Sequence, residues 1–360
     1  MYQNLKKMDW NVTANGRSFI LYFNFLFAHY EELSLLLRIR YAFRIIQYIY
    51  FPVLAAVGFT VNILTIVILP RGKCGLSICV TRYLVAMAVK DLLVIILDLI
   101  LSHIPILYQK EFHFVRFFHL CNIHAVLLHA ATDCSVWFTV SFTFDRFVAI
   151  CCQKLKTKYC TERTAAVFVG TVSLLSGFKN MFWYFRLTRF CILENMPWFC
   201  FITDDVLNSP VWAAIIFLHS ILTPCIPFAL ILLLNTVTAR HIILASRARR
   251  KLLGASFGEC PSDPEMASRR NSIILLFVIS GNFILLWEVL MVNSIWTQMY
   301  FLGYDSVYIP FYVMDVGIML QLLSCCTNTG IYAVTQTKFR QQLKNVGKYP
   351  FTLILKLIKR

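Results

Sequence analysis

Seven stretches of this chain stay apolar for about 20 residues or more, and they constrain its fold more than any other feature. They run over 45–69, 83–107, 118–144, 164–184, 211–234, 273–296 and 307–334. A bilayer core about 30 Å thick takes roughly 20 helical residues to cross. Inside it every backbone N–H and C=O needs an internal partner, so runs of this length predict helices. The expected fold is all-α: a seven-transmembrane helix bundle over 45–334, with an N-terminal extracellular segment 1–44 and a basic amphipathic cytoplasmic tail 335–360. Composition agrees, since 59% of the residues are apolar and only 14% charged. Soluble domains run at about 45–50% and about 25%, which argues against a cytosolic enzyme.

The charges orient the bundle. Of the 34 Lys and Arg, 22 fall in the segments 70–82, 146–163, 235–272 and 335–360, and 10 in the alternate segments. Lys and Arg accumulate on the cytoplasmic side, so the N-terminus is expected outside and the C-terminus inside. The clusters 247–251 and 269–270 then face anionic lipids of the inner leaflet, at about 1 kcal/mol per charge. A nucleic-acid partner is not expected, because the basic residues lie between apolar runs. Asn11 opens the sequon Asn11-Val12-Thr13 on the outer side, a glycosylation site. The stretch 19–37 is apolar but broken by Asn24, His29, Glu31 and Glu32; it reads as an extracellular segment, a signal peptide or a faulty gene start. Among thirteen cysteines, Cys121 at the outer end of the third run faces an oxidising compartment, with Cys200 or Cys191 as its partner in a bridge.

Polar residues inside the membrane are the functional candidates, because a carboxylate there is costly. Asp91 is central in the second run. On the third, Ser135 and Arg146 share a face, with His124, Leu128, Thr139 and Phe142 close to it. Ser324, Asn328 and Tyr332 follow at i, i+4, i+8 on the seventh, and Asn62 lies at similar depth on the first. These groups are expected to converge around Asp91. In the outer half stand His129 and Asp133 at i, i+4, and Lys179, Glu288 and Asp315. His129 and Asp133 satisfy each other or contact a ligand. Glu288 adjoins Trp287 and is expected to be buried, with Asp315 as a second anionic contact for a zwitterionic or aromatic ligand.

Gly58-Phe59-Thr60-Val61-Asn62, Asp91, Cys121, Asp145-Arg146-Phe147, Pro227, Trp287 and Asn328-Thr329-Gly330-Ile331-Tyr332 stand in a recognisable order. Across about residues 45–345 the chain resembles a rhodopsin-like (class A) G-protein-coupled receptor. The stretches 58–69 and 224–235 and the pair Leu286-Trp287 are most similar to an orphan branch of peptide-receptor-like proteins, some responding to aromatic amino acids. The resemblance implies a multi-pass plasma-membrane receptor that passes binding of an extracellular ligand, a peptide or a small zwitterionic or aromatic molecule, to a heterotrimeric G protein. It implies that Asp145, Arg146, Phe147, Trp287, Asn328 and Tyr332 form the coupling and activation switch. It also implies a sodium pocket of Asp91, Ser135, Ser324 and Asn328, with Na+ as an allosteric ion and no other cofactor. Cys121 and Cys200 match the outer bridge of that family. The ligand pocket would draw on Leu128, His129, Asp133, Trp287, Glu288 and Asp315; Leu128 stands where an amine receptor has an aspartate, so biogenic amines are not expected.

Five residues depart from the pattern. Lys90 replaces a small residue beside Asp91, Thr329 replaces the proline of the seventh helix, and Val289 that of the sixth. Arg269 and Arg270 stand where Arg146 would find an acid on the sixth helix. A non-coupling or degraded receptor-like protein is therefore the alternative. A transporter would show internal repeats or paired broken helices, and a membrane enzyme an HExxH or GxSxG signature; neither is evident in the sequence.

Overall fold

The computed structural model describes residues 27, 34–72, 74–108, 121–189, 200–202, 206, 209–253, 264–304 and 310–346. The seven apolar runs correspond to seven helical spans. The first is Leu35–Ile68, the third Cys121–Cys151, the fourth Glu162–Lys179, the sixth Pro264–Phe301 and the seventh Phe311–Thr335. The second begins as Ile78–Val94, winds as a π-helix over Ile95–His103 and ends at Ile104–Leu107. The fifth runs Pro210–Ser220, a π-helical turn Ile221–Cys225, then Ile226–Leu253. Six spans are long and apolar enough as single helices to cross a membrane. The second is not among them: Lys90, Asp91 and Asp98 make its apolar run the most charged of the seven, whereas the fifth qualifies whole across its own π-turn.

Several boundaries move. The first span starts about ten residues before the run at 45, so the domain limit at 44 falls inside a helix. At 34 residues it is about 50 Å long, more than a bilayer core requires; residues 35–44 carry its basic outer end. The sixth span likewise extends beyond 273–296 in both directions. Ser77, Thr161 and Ser209 cap the second, fourth and fifth spans, each accepting a backbone N–H three residues on. The all-α reading needs one addition, a two-stranded antiparallel hairpin of Leu187–Arg189 and Cys200–Ile202. Its first strand packs on the third span, on the side of Cys121. Asn11 and Cys191 and the sulfurs of Cys121 and Cys200 lie outside the described residues, as does most of 19–37.

The spans pack through three apolar clusters. Tyr83, Phe138, Phe142, Leu275, Ile279, Tyr332 and Phe339 fill the inner half. Phe51, Leu54, Ile95, Leu99 and Leu322 join the first, second and seventh spans. Val136, Phe228, Ile231, Phe283 and Trp287 join the third, fifth and sixth. The sixth and seventh spans approach closely at Gly317, where a Cβ would lie 2.9 Å from Leu290 Cα. Beyond the seventh span, 337–346 is helical, with Phe339 buried and Lys338, Arg340 and Lys344 exposed, the expected amphipathic start of the tail. Residues 347–360 lie outside the described residues.

Candidate functional site

At the centre of the bundle Asp91, only 1% exposed, accepts hydrogen bonds on both carboxylate oxygens. Ser135 Oγ donates to Oδ1 at 2.7 Å from the third span, and Asn328 Nδ2 donates to Oδ2 at 2.8 Å from the seventh. Two of the three expected partners are thus in place. The third, Ser324, is not: its Oγ accepts from Trp287 Nε1 at 3.0 Å and donates to the Gln321 carbonyl at 2.6 Å. Helical geometry explains the split, because Ser324 lies a turn above Asn328 and meets the sixth span before the second. Asn62 donates to the carbonyls of Gly58 and Cys325 at 2.9 and 2.8 Å, while its Oδ1 is buried with no partner among the described residues. Both hydrogen-bond donors to Asp91 are neutral. A small hard cation fits a buried carboxylate joined to a neutral hydroxyl, Asp91 Oδ1 and Oδ2 with Ser135 Oγ.

At the inner end, Asp145 and Arg146 form a buried ion pair, with Arg146 Nε 3.0 Å from Asp145 Oδ2. The other carboxylate oxygen accepts from Cys79 Sγ of the second span at 3.0 Å. Cys160 Sγ lies 3.7 Å from the Asp145 carbonyl, and burial, with Asp145 beside it, pushes that thiol up to about 11. Cys79 had no signal in the sequence, since a cysteine near a span end looks like packing. Phe147 is half-buried against Phe144. Below Arg146 opens a cavity of about 640 Å³ whose lining includes Ile150, Asn271, Ser272, Lys156 and Lys338 and, among the described residues, no carboxylate. Above it Tyr332, fully buried, stands edge-on to Phe339, and its hydroxyl has no partner among the described residues.

The sixth and seventh spans are unbroken helices at Val289 and Thr329. They are tied to each other by Trp287 on Ser324 and by Asn282 Nδ2 on Thr327 Oγ1 at 2.9 Å. Where the resemblance leads one to look for proline, Thr329 binds the first span through Thr65 and the Val61 carbonyl. On the sixth span Ser280 Oγ is 3.4 Å from Thr143 Oγ1, and Asn271, Ser272 and Leu275 line the same cavity as Arg146.

The outer half holds two polar clusters. In one, Asp133 pairs with Lys179 Nζ at 2.6 Å and accepts from Asn180. The expected His129–Asp133 pair is not formed. The fourth span supplies Asp133 with stronger partners, and His129 instead stacks on Trp183 at 3.7 Å. His219 meets both rings edge-on, and Arg186 lies 4.7 Å over Trp183. In the other, Asp98 and His103 meet at 3.4 Å, five residues apart on the π-turn, where an α-helix would separate them. Gln47 bonds to Asp315, and Arg44, Arg40 and His103 face the same carboxylate. Leu128 is half-buried on the third span.

Glu288 is not in either cluster. It is exposed on the outside of the sixth span, one helical step of about 100° from buried Trp287, and the reading of it as a buried pocket acid is corrected. Lys90 is half-buried toward Cys134 of the third span and turned from Asp91 by the same angle.

The pattern of spans and polar clusters has a counterpart among known proteins. A family model described as 7 transmembrane receptor (rhodopsin family) matches residues 61–332, more than half of the chain.

Proposed function

The chain belongs to the rhodopsin family of seven-transmembrane receptors, signalling proteins that span the plasma membrane several times, and on that premise we propose how this member works. An extracellular ligand binds the outer half of the bundle and shifts a pre-existing equilibrium toward a state in which the cavity beneath Arg146 admits a heterotrimeric G protein. The observation that carries this reading is the pair Asp145–Arg146, closed on itself above an inward-facing cavity of about 640 Å³ with no carboxylate among the described residues that line it. In the resting arrangement Asp145 holds the guanidinium; in the active one Arg146 turns to the incoming partner. Buried, unbonded Tyr332 is placed to follow it.

The ligand proposed is a small zwitterion or peptide end with aromatic character. Its ammonium meets Asp315 and Asp98, and its carboxylate the side of Arg44 and Arg40. Phe51, 5.0 Å from His103, and Tyr48 supply aromatic walls. A sodium ion held by Asp91 and Ser135 would favour the resting packing by joining the second and third spans. A G-protein activation assay in cells, run with amino acids and short peptides, tests the reading.

One observation favours a second reading. Thr329, bonded to Thr65 and Val61, ties the seventh span to the first where movement is needed. A chain held this way binds ligand without coupling, and ligand binding without G-protein activation would select that reading.

A further inference from the structure

Glu288 and Lys90 are charged side chains within the spans that form no ion pair or hydrogen bond among the described residues. Glu288 lies on a stripe of the sixth span with Ile274, Val278, Leu285, Val292, Trp296 and Met299, all exposed and within about 80° of one another. Leu285 and Val292 on either side of it are 64% and 53% exposed. A carboxylate on such a face stands among lipid chains, where an ionised group needs a counter-charge.

Lys90 faces Cys134 of the third span, whose thiol in turn bonds Ser173 and Ser176 of the fourth, so the lysine lies where the second, third and fourth spans meet. The fourth span, the least buried of the membrane-length helices, presents Gly170, Ser173 and Gly177 along one side. A Cβ added to either glycine would meet nothing within 4 Å, so another helix has room to approach there.

The depths are compatible. Asp91, beside Lys90, bonds Asn328, and Trp287, beside Glu288, bonds Ser324, one turn outward on the same helix. Lys90 lies one residue inward of Asp91 and Glu288 one residue outward of Trp287, so the two charges are offset by about 9 Å along the membrane normal, which the extended lysine and glutamate side chains span only together.

We propose that the sixth span of one copy docks where these three spans meet in a second copy, its Glu288 pairing with Lys90 there. Both copies share one orientation in the membrane, so the contact forms when Lys90 extends outward and Glu288 inward. The sixth span packs against the fifth and seventh in its own bundle, and the second against the first, third and fourth, so the two faces differ. Such a contact is head-to-tail and leaves one free face at each end, which gives rows rather than closed dimers. The inference is independent of ligand identity and of G-protein coupling.

The test is proximity energy transfer between full-length chains carrying donor and acceptor tags, at matched surface expression. The wild-type pair is expected to give a saturable signal. Glu288→Lys alone and Lys90→Glu alone are each expected to lose most of it, since like charges then face each other. Mixing Glu288→Lys donors with Lys90→Glu acceptors makes the donor–acceptor contact attractive in either direction and restores the signal. A wild-type chain without saturable transfer, single variants that retain it, or a mixture that stays low would each overturn the proposal; the last would assign the sixth-span face to a different protein. Because the mixture uses the same two variants, its recovery separates a lost contact from a lost fold.

Discussion

Thr65 Oγ1 donates to Thr329 Oγ1 across 2.7 Å, and Thr329 passes its own proton to the Val61 carbonyl at 3.1 Å. With this chain the seventh span stays one unbroken helix and is bound to the first. Interhelical hydrogen bonds in membranes contribute about 0.6 kcal/mol on average and up to about 1.7. Thr329→Ala and Thr65→Ala are each expected to lower thermal stability in detergent by about this amount. The double variant should cost little more than either single one, and basal signalling should rise in all three. Additive losses would show that the two residues act separately.

The Cys79 thiol holds one oxygen of Asp145 while Arg146 holds the other. Hydrogen bonds to charged groups contribute about 1.5–3 kcal/mol, and 1.4 kcal/mol is a tenfold change in population. Cys79→Ala should raise ligand-free signalling several-fold, and Cys79→Ser should leave it near wild type. Equal effects of the two substitutions would place the role of Cys79 in packing instead.

Asp91 is buried with two neutral hydrogen-bond donors. Exchange of potassium for sodium should raise the melting temperature of the purified wild-type chain and lower agonist affinity. Asp91→Asn should be indifferent to the exchange, because the amide carries no charge to attract the ion. A sodium response surviving in Asp91→Asn would move the ion elsewhere.

Much of this was legible in the sequence, and the reasons differ by element. The spans were, because length and hydropathy are local properties that lipid enforces one helix at a time. Ser135 and Asn328 on Asp91 were, because helical spacing sets which residues share a face. Ser324 was assigned to the same cluster although its hydroxyl turns to Trp287; spacing gives direction around one helix but not which neighbour arrives first. Glu288 was misread for a related reason, since one residue along a helix separates the core from lipid. The Asp98–His103 pair depends on a π-turn, and no period-3.6 reading brings residues five apart together. Cys79 and Thr65 act through tertiary contacts that leave no local trace.

The outer ligand site makes a separate forecast. Asp315 and Asp98 stand in the polar cluster of the first, second and seventh spans, and Glu288 points away from it. Asp315→Asn and Asp98→Asn are expected to reduce agonist potency by about tenfold or more, the scale of one charged contact. Glu288→Gln should leave potency unchanged. Potency lost only in Glu288→Gln would reverse the assignment of the pocket.

The central claim is that closure of Asp145 on Arg146 governs entry of a G protein into the cavity beneath them. The most direct measurement is G-protein activation in cells by the wild-type chain and Arg146→Ala at equal surface expression, without ligand and with the amino-acid and peptide panel. The account predicts activation above untransfected cells for the wild type and its loss in Arg146→Ala. Equal activation by the two chains, or none from a wild-type chain that reaches the surface under every condition, would contradict it.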